Sequence, residues 1–104
     1  MNSSRTITIS IPHRLAQDEA RRRIRSGIAD ARRQFVGKLT QLDENWTTED
    51  HLEFRLAAMG QPITGRLDVL PDAITLSIDL PWLLAMLADR IKPEVERRGR
   101  KLLE

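Results

Sequence analysis

Two histidines, His13 and His51, are the side chains in this sequence that could transfer protons near neutral pH or bind a metal ion. His13 lies between an alternating segment and a helical one, which is typical of a turn or cap residue. His51 begins another alternating segment and has acidic neighbours that could act as oxygen ligands: Glu49, Asp50 and Glu53. We favour a solvated strand end as the explanation of that pattern. We therefore predict no catalytic residue and no metal ligand at either histidine.

The motifs of the common enzyme classes are missing from the sequence. It has no glycine-rich phosphate loop, no G-x-S-x-G and no H-E-x-x-H. Its cysteine count is zero, which excludes disulfides, thiolate metal sites and cysteine nucleophiles. We predict that the chain is not an enzyme and binds no cofactor.

Strict alternation of apolar and polar residues marks several half-buried strands. In residues 5–11, Ile7, Ile9 and Ile11 point to one side and hydroxyl side chains point to the other. The same alternation recurs in residues 51–58, 63–69 and 74–80. Each predicted strand therefore has one apolar and one polar face, and Leu70-Pro71-Asp72 predicts a tight turn before the last of them.

A helical period predicts one long amphipathic helix over residues 15–39. Its apolar stripe consists of Leu15, Ala20, Ile24, Ile28, Ala31, Phe35 and Leu39. Gly27 within this helix predicts close backbone packing against the sheet. Residues 40–50 are polar and predict a turn, with a short strand around Trp46 as the open alternative.

The C-terminal stretch, residues 81–104, opens with an apolar run and ends in a basic cluster. Pro81 suits the first turn of a helix. Pro93 removes a helical hydrogen-bond donor and disfavours helix at Lys92, so we expect a kink or break there.

Strands that are apolar on one side need helices on that side only. The pattern therefore predicts an α+β fold, a two-layer sandwich whose mainly antiparallel sheet of four to five strands has two helices on one face. The predicted order is β-α-β-β-β-α. At 104 residues the chain is predicted to form a single domain, residues 1–104.

The apolar run of residues 82–88 is the strongest candidate for a contact surface. Its seven residues are apolar all round, and one sheet face can cover only one side of such a helix. We predict that a surface or partner is contacted by Trp82, Leu83, Leu84, Met86 and Leu87. The alternatives are a helix buried under the sheet and a homodimer seam.

A second candidate surface is basic. Residues 14–38 carry eight basic and three acidic side chains, and the predicted basic patch consists of Arg21, Arg22, Arg25, Arg32 and Arg33. Such clusters can neutralise phosphates, which makes nucleic-acid binding through the first helix an alternative function. Only four aromatic residues exist and the polar sheet face offers no stacking platform, so we expect nucleic acid not to be the partner.

The N-terminal residues lack the apolar segment of a secretory signal, and no stretch reaches the ~20 apolar residues that span a bilayer. We therefore expect a cytoplasmic protein without a transmembrane segment.

The order of these signals resembles a family of small bacterial proteins, the polyhydroxyalkanoic acid system or granule-region family. The resemblance begins with an alternating strand followed by Pro12-His13-Arg14-Leu15 and then Glu19-Ala20-Arg21-Arg22-Arg23. It continues through Gly60-Gln61-Pro62-Ile63-Thr64-Gly65, Leu83-Leu84, Ile91, Val95-Glu96 and Leu102-Leu103. The chain departs from the family between Leu84 and Ile91, where it lacks the family's glycine or lysine turn.

This resemblance implies a place in polyester storage and no known reaction. It leads to the hypothesis of a non-enzymatic accessory protein of polyhydroxyalkanoate storage, which binds the granule surface or a granule protein and is cytoplasmic or granule-associated. The alternatives are a homodimeric structural domain and a nucleic-acid-binding domain.

Overall fold

A computed structural model describes residues 5–34, 39–58 and 60–104, and of residues 39–42 it describes the backbone only. Five strands and three helices follow each other as β1 (Arg5–Pro12), α1 (Gln17–Gln34), β2 (Leu39–Thr48), β3 (His51–Ala58), β4 (Gln61–Val69), β5 (Ala73–Leu80), α2 (Trp82–Ala85) and α3 (Ala88–Leu102). The predicted α+β class and the strand-rich middle of the chain are confirmed.

The strands form one antiparallel sheet in the order β1-β5-β4-β3-β2. Strands β2 to β5 are neighbours along the chain and make a meander. Strand β1 instead pairs with β5, with Arg5 opposite Leu80 and Pro12 opposite Ala73. Helix α1 therefore leads from one edge strand, β1, to the opposite edge strand, β2.

The apolar face of the sheet carries the core. Ile7, Ile9 and Ile11 are buried in β1, and the same face of the other strands contributes Leu52, Ile63, Leu67, Val69, Ile74 and Leu80. The opposite face is polar, and no helix covers it among the described residues. For the four strands that were predicted from alternation, it identified correctly the side that faces the helices.

Phe54 and Gly65 form a cross-strand pair on the apolar face. A Cβ atom at Gly65 would lie 2.2 Å from the Phe54 ring and 2.7 Å from the Ser77 carbonyl oxygen. The phenyl ring therefore lies over the glycine and fills the space that a side chain would occupy, as aromatic residues do beside glycine in designed sheets.

Helix α1 packs on the sheet through Ala20 and Ile24. The helix was predicted to reach Leu39, but Leu39 already begins β2. Phe35 and Lys38, which the prediction assigned to the helix, lie outside the described residues. The short strand considered around Trp46 exists and is longer than expected, at ten residues.

Gly27 contacts a helix and not the sheet, contrary to the prediction. A Cβ atom there would lie 2.6 Å from Leu102 Cδ2, so the glycine allows α3 to approach α1. Gly99 on α3 allows a similar approach to β1, since a Cβ atom there would lie 2.2 Å from Ile11 Cδ1. Helix α3 is therefore held against both α1 and β1.

The helical C-terminal region is interrupted at Met86 and Leu87. The Leu87 N–H donates to the Leu84 carbonyl at 2.9 Å, a tight i→i−3 contact that ends α2 before α3 begins. Helix α3 then continues through Pro93, so the break predicted at Pro93 is wrong. Pro93 is exposed, so its ring can point to solvent. The helix continues with one backbone hydrogen bond fewer, because proline has no N–H.

Among the described residues, no helix is both long enough and apolar enough to cross a bilayer.

Candidate functional site

Three of the exposed large apolar side chains of the described residues, including the two most exposed, lie at the α2–α3 junction. Trp82 is 64% exposed, Met86 is 78% exposed and Leu83 is 39% exposed. We call these three residues the apolar patch. Exposed large apolar side chains that are neighbours in the chain are candidates for a contact surface.

The local backbone decides which residues of the apolar run reach the surface. Leu84 is 4% exposed and Ala88, four residues later, is also buried, so this side of the junction packs on the core. Leu87 is half-buried and packs against the same core. Of the five residues predicted to contact a partner, Leu84 belongs to the core and Leu87 mostly does, whereas the apolar patch remains available.

Pro81 orients this junction. It adopts an extended backbone with φ −66° and ψ 162°, and its carbonyl accepts the Leu84 N–H at 2.9 Å. Because proline fixes φ and has no N–H, it ends β5 and starts the helical turn without leaving a donor unsatisfied. Trp82 therefore emerges directly at the end of the sheet.

The predicted basic patch on α1 lies beside acidic and aromatic partners. Arg21 donates to Asp50 at 2.8 Å and is 3.8 Å from Glu49. The Arg25 guanidinium lies 4.0 Å from the centre of the Trp46 ring, a cation–π contact. The patch is therefore partly neutralised within the fold.

The remaining arginines of the patch are paired in the same way. Arg22 forms an ion pair with Glu19, and this hydrogen bond is the main reason that the pKa of the Glu19 carboxyl is lowered. Arg32 binds Glu44 at 2.8 Å and Arg33 binds Asp30. A phosphate would have to compete with these carboxylates for each guanidinium.

His13 has a structural role, as its position predicted. Its side chain is buried, its Nδ1 accepts the Leu15 N–H at 3.1 Å, and its Nε2 lies 3.0 Å from the Leu70 carbonyl oxygen. The neutral tautomer with hydrogen on Nε2 satisfies both contacts. His13 thus ties the start of α1 to the β4–β5 turn.

His51 lies on the polar face of the sheet. Its Nδ1 is 2.5 Å from Asp68 and its Nε2 is 3.5 Å from Glu53, and the hydrogen bond to Asp68 raises the pKa of the imidazole. Within the described part of the chain, no group of three or more histidine and acidic side chains is arranged to hold a metal ion.

The polar face also carries a hydroxyl and carboxylate network that the sequence alone did not reveal. Thr6 donates to Asp79 at 2.7 Å, Thr64 donates to its other oxygen at 3.3 Å, and Arg66 is 3.9 Å away. These residues come from β1, β4 and β5, so only the strand order and register bring them together. The polar periodicity of each strand indicates that these residues lie on the polar face, but it does not indicate that they are neighbours.

A shallow depression of about 290 Å³ lies beside this network. Its lining residues are Asp43, Asn45, Glu53, Phe54, Arg55, Thr64, Gly65, Arg66 and Asp79. Acidic and basic side chains both line it, and the Thr64 hydroxyl donates to the Asp79 carboxylate at 3.3 Å. The depression therefore offers hydrogen bonds to a polar group.

These observations define a class: a small α+β sandwich with an open polar sheet face and an apolar patch at a helix junction. The family model described as polyhydroxyalkanoic acid system protein matches residues 7–103. The chain belongs to this family. A search of curated proteins finds no match to the chain.

Proposed function

We propose that the chain is a non-enzymatic accessory protein of polyhydroxyalkanoate storage, which attaches to the granule surface or to a granule protein through its apolar patch. The observation that carries the proposal is the exposure of Trp82, Leu83 and Met86 together at one helix junction. Membership of the polyhydroxyalkanoic acid system family supplies the setting.

The chemistry of the patch suits an interface between water and an apolar phase. An indole ring has a large apolar body and one N–H donor, so Trp82 can enter an interface while keeping a hydrogen bond to its polar side. Leu83 and Met86 add apolar area, and methionine adapts to irregular surfaces. The paired arginines of α1 contribute less, since each already has a partner in the chain.

The size of the patch predicts weak attachment by a single copy. Full burial of one large apolar side chain is worth about 1.5–3 kcal/mol. Three side chains that are already partly covered give on the order of 3–5 kcal/mol before entropic costs. Since the entropic costs reduce this free energy, we expect a dissociation constant no tighter than about the millimolar range for one copy, and stronger binding only where several copies act together.

Co-sedimentation with purified polyester granules tests this function. The wild-type chain is pelleted with native granules and with protease-treated granules, across a salt series, with DNA and protein-free liposomes as parallel samples. Binding that resists salt and survives protease treatment supports attachment to the surface itself. Binding that protease treatment abolishes indicates a granule protein as the partner.

The matched variants are Trp82→Ser/Met86→Ser and Leu70→Ser. Leu70 is 40% exposed in the β4–β5 turn, so its substitution removes a comparable apolar side chain elsewhere on the surface. We expect the double variant to lose sedimentation and the Leu70 variant to keep it. If a folded Trp82→Ser/Met86→Ser chain pellets as well as wild type, the apolar patch is not the attachment surface.

A further inference from the structure

The outer edge of β1 has no partner strand within residues 5–34, 39–58 and 60–104, because β1 ends the strand order. Between Arg5 and Pro12 the strand has no charged residue and alternates isoleucine with threonine or serine. Long, regular, uncharged edge strands readily pair with another strand, and proteins that stay monomeric usually protect them.

The hydrogen bonds of β1 show which backbone groups face this edge. The His13 N–H donates to the Asp72 carbonyl at 2.9 Å, in line with the β1–β5 register. In an antiparallel pair, residues two apart share the same orientation, so the odd-numbered residues bond to β5. The N–H and C=O groups of Thr6, Thr8 and Ser10 therefore point outward.

Pro12 fits the same assignment. As an even-numbered residue it faces the free edge, where its missing N–H leaves no bond to β5 unmade. The outward-pointing N–H groups of β1 therefore stop at Ser10, because the next outward residue is Pro12.

The opposite edge, β2, is protected in ways that β1 is not. Its pairing with β3 contains two register irregularities, between Thr40 and Asp43 and between Trp46 and Thr48. Two acidic residues, Asp43 and Glu44, lie near its centre. Bulges and charges are the features that discourage edge-to-edge pairing.

We propose that a second copy of this chain pairs with β1 edge to edge, antiparallel and about a two-fold axis at Thr8, to give one continuous sheet across both copies. In this register Thr8 faces Thr8 of the second copy and Thr6 faces its Ser10, and each such pair exchanges two backbone hydrogen bonds. Ile7 faces Ile9 of the second copy, so the apolar faces join.

Helix α3 provides charge complementarity in the same geometry. Asp89 lies 3.5 Å from Arg5, and Gly99 lies against Ile11, so α3 runs in the same direction as β1. Thr8 is midway between Arg5 and Ile11, and residue 94 is midway between Asp89 and Gly99. The part of α3 that lies beside Thr8 is therefore close to residue 94. A two-fold axis there places Lys92 opposite Glu96 of the second copy.

The side of α3 that faces away from α1 carries alternating charges. Leu102 marks the α1 side, through its approach to Gly27. The other side forms a groove of about 340 Å³ lined by Asp89, Lys92, Pro93, Glu96 and Arg100. Antiparallel packing brings acidic residues opposite basic ones along this groove, including Asp89 opposite Arg100 of the second copy. Within one chain Glu96 already lies 3.1 Å from Arg100, so these contacts would extend an existing ion pair. The helix charges are thus complementary about the two-fold axis that the strand register sets.

Sedimentation velocity of the full chain over a concentration series tests the pairing. We expect a reversible dimer for wild type. Thr8 is exposed on the polar face, so Thr8→Lys and Thr8→Asp are expected to fold. Each places like charges opposite each other at the axis and should raise the dimer dissociation constant by at least about tenfold. An equimolar mixture of the two variants should restore a one-to-one dimer.

Two controls separate this edge from other contacts. Asn45→Lys adds the same charge on the β2 edge strand and should leave the dimer unchanged, as should Trp82→Ser/Met86→Ser in the apolar patch. Lys92→Glu should weaken the dimer, and Lys92→Glu/Glu96→Lys should restore it. A wild type that stays monomeric throughout, or folded Thr8→Lys and Thr8→Asp chains that dimerise alone as well as wild type, overturns the proposal.

Discussion

The two histidines show how neighbouring residues decide the chemistry of a titratable side chain. His13 is buried between two backbone groups, whereas His51 is bound by a carboxylate on the polar face. Sequence position predicted the turn role of His13, because it follows a proline that ends a strand. The partner of His51 was not predictable, because Asp68 lies on the next strand and reaches the imidazole only through the β3–β4 register.

We predict that His51 makes stability depend on pH. Its pKa in the folded chain is raised by the hydrogen bond to Asp68, above the ordinary value of 6.5. The stabilising contribution is therefore fully present below the unfolded pKa and is lost as the pH rises through the folded pKa. The melting temperature of wild type should exceed that of His51→Gln by more at about pH 5.5 than at about pH 8.5.

An NMR titration of the His51 ring protons provides the direct check. The midpoint should lie above 6.5 in wild type and fall in Asp68→Asn, which keeps the size of the side chain but removes the charge. A midpoint at or below the ordinary histidine value in wild type would show that the Asp68 contact does not form in solution.

A second residue-scale prediction concerns His13→Ala. The substitution leaves the Leu15 N–H and the Leu70 carbonyl without their imidazole partner at a buried site. Loss of such partners costs about 1–3 kcal/mol in the free energy of unfolding. Urea denaturation at neutral pH measures this change, with Leu70→Ser as a control that keeps the backbone contacts. A change below about 0.5 kcal/mol would argue against a structural role for the ring.

At the scale of elements, periodicity predicted the type of most segments but not their partners. The inward isoleucines of β1 follow from alternation alone. The pairing of β1 with β5 does not follow from alternation, because α1, β2, β3 and β4 separate the two strands along the chain. Strand β2 was mostly missed since its polar composition, typical of an edge, resembles a turn.

The apolar run after Pro81 was ambiguous for a different reason. When seven consecutive residues are apolar, no period distinguishes Leu84, which is buried, from Met86, which is exposed. The contact prediction therefore included both. The tight turn at Met86 and Leu87 decides the outcome, and neither residue is a usual turn former.

We predict that Gly27→Ala changes stability in a manner that depends on Leu102. Alanine favours the helix by about 1 kcal/mol over glycine. In wild type the new methyl group would lie 2.6 Å from Leu102 Cδ2, and the side chain must move. Crowding of this kind costs about 1–3 kcal/mol, so we expect a net change close to zero or destabilising.

A double-mutant cycle with Leu102→Ala separates the two effects. In the Leu102→Ala background the methyl group meets open space, and Gly27→Ala should then raise the free energy of unfolding by about 1 kcal/mol. Equal effects of Gly27→Ala in both backgrounds would contradict the α1–α3 contact that the structure places at this glycine.

At the scale of the whole molecule, the two proposed surfaces act together. In the proposed dimer the apolar faces of the two sheets are continuous, so both copies carry their helices on the same side. The dimer would carry two apolar patches, one near each end of the continuous sheet. Where both reach the same surface, attachment of the first would raise the effective concentration of the second.

The distribution of charge leads to the last prediction, which concerns nucleic acid. The net charge is +2, and the arginines of the predicted patch lie against Asp50, Glu19, Trp46, Glu44 and Asp30. A phosphate backbone gains little from guanidinium groups that must first leave a carboxylate, so few counterions would be released on binding. We expect fluorescence anisotropy with a labelled duplex to show weak binding and a shallow dependence on salt. Arg22→Glu/Arg25→Glu should change it little at about 150 mM salt. A steep loss of affinity with salt, abolished by those two substitutions, would instead favour α1 as a phosphate-binding surface and would reverse the order of the two candidate functions.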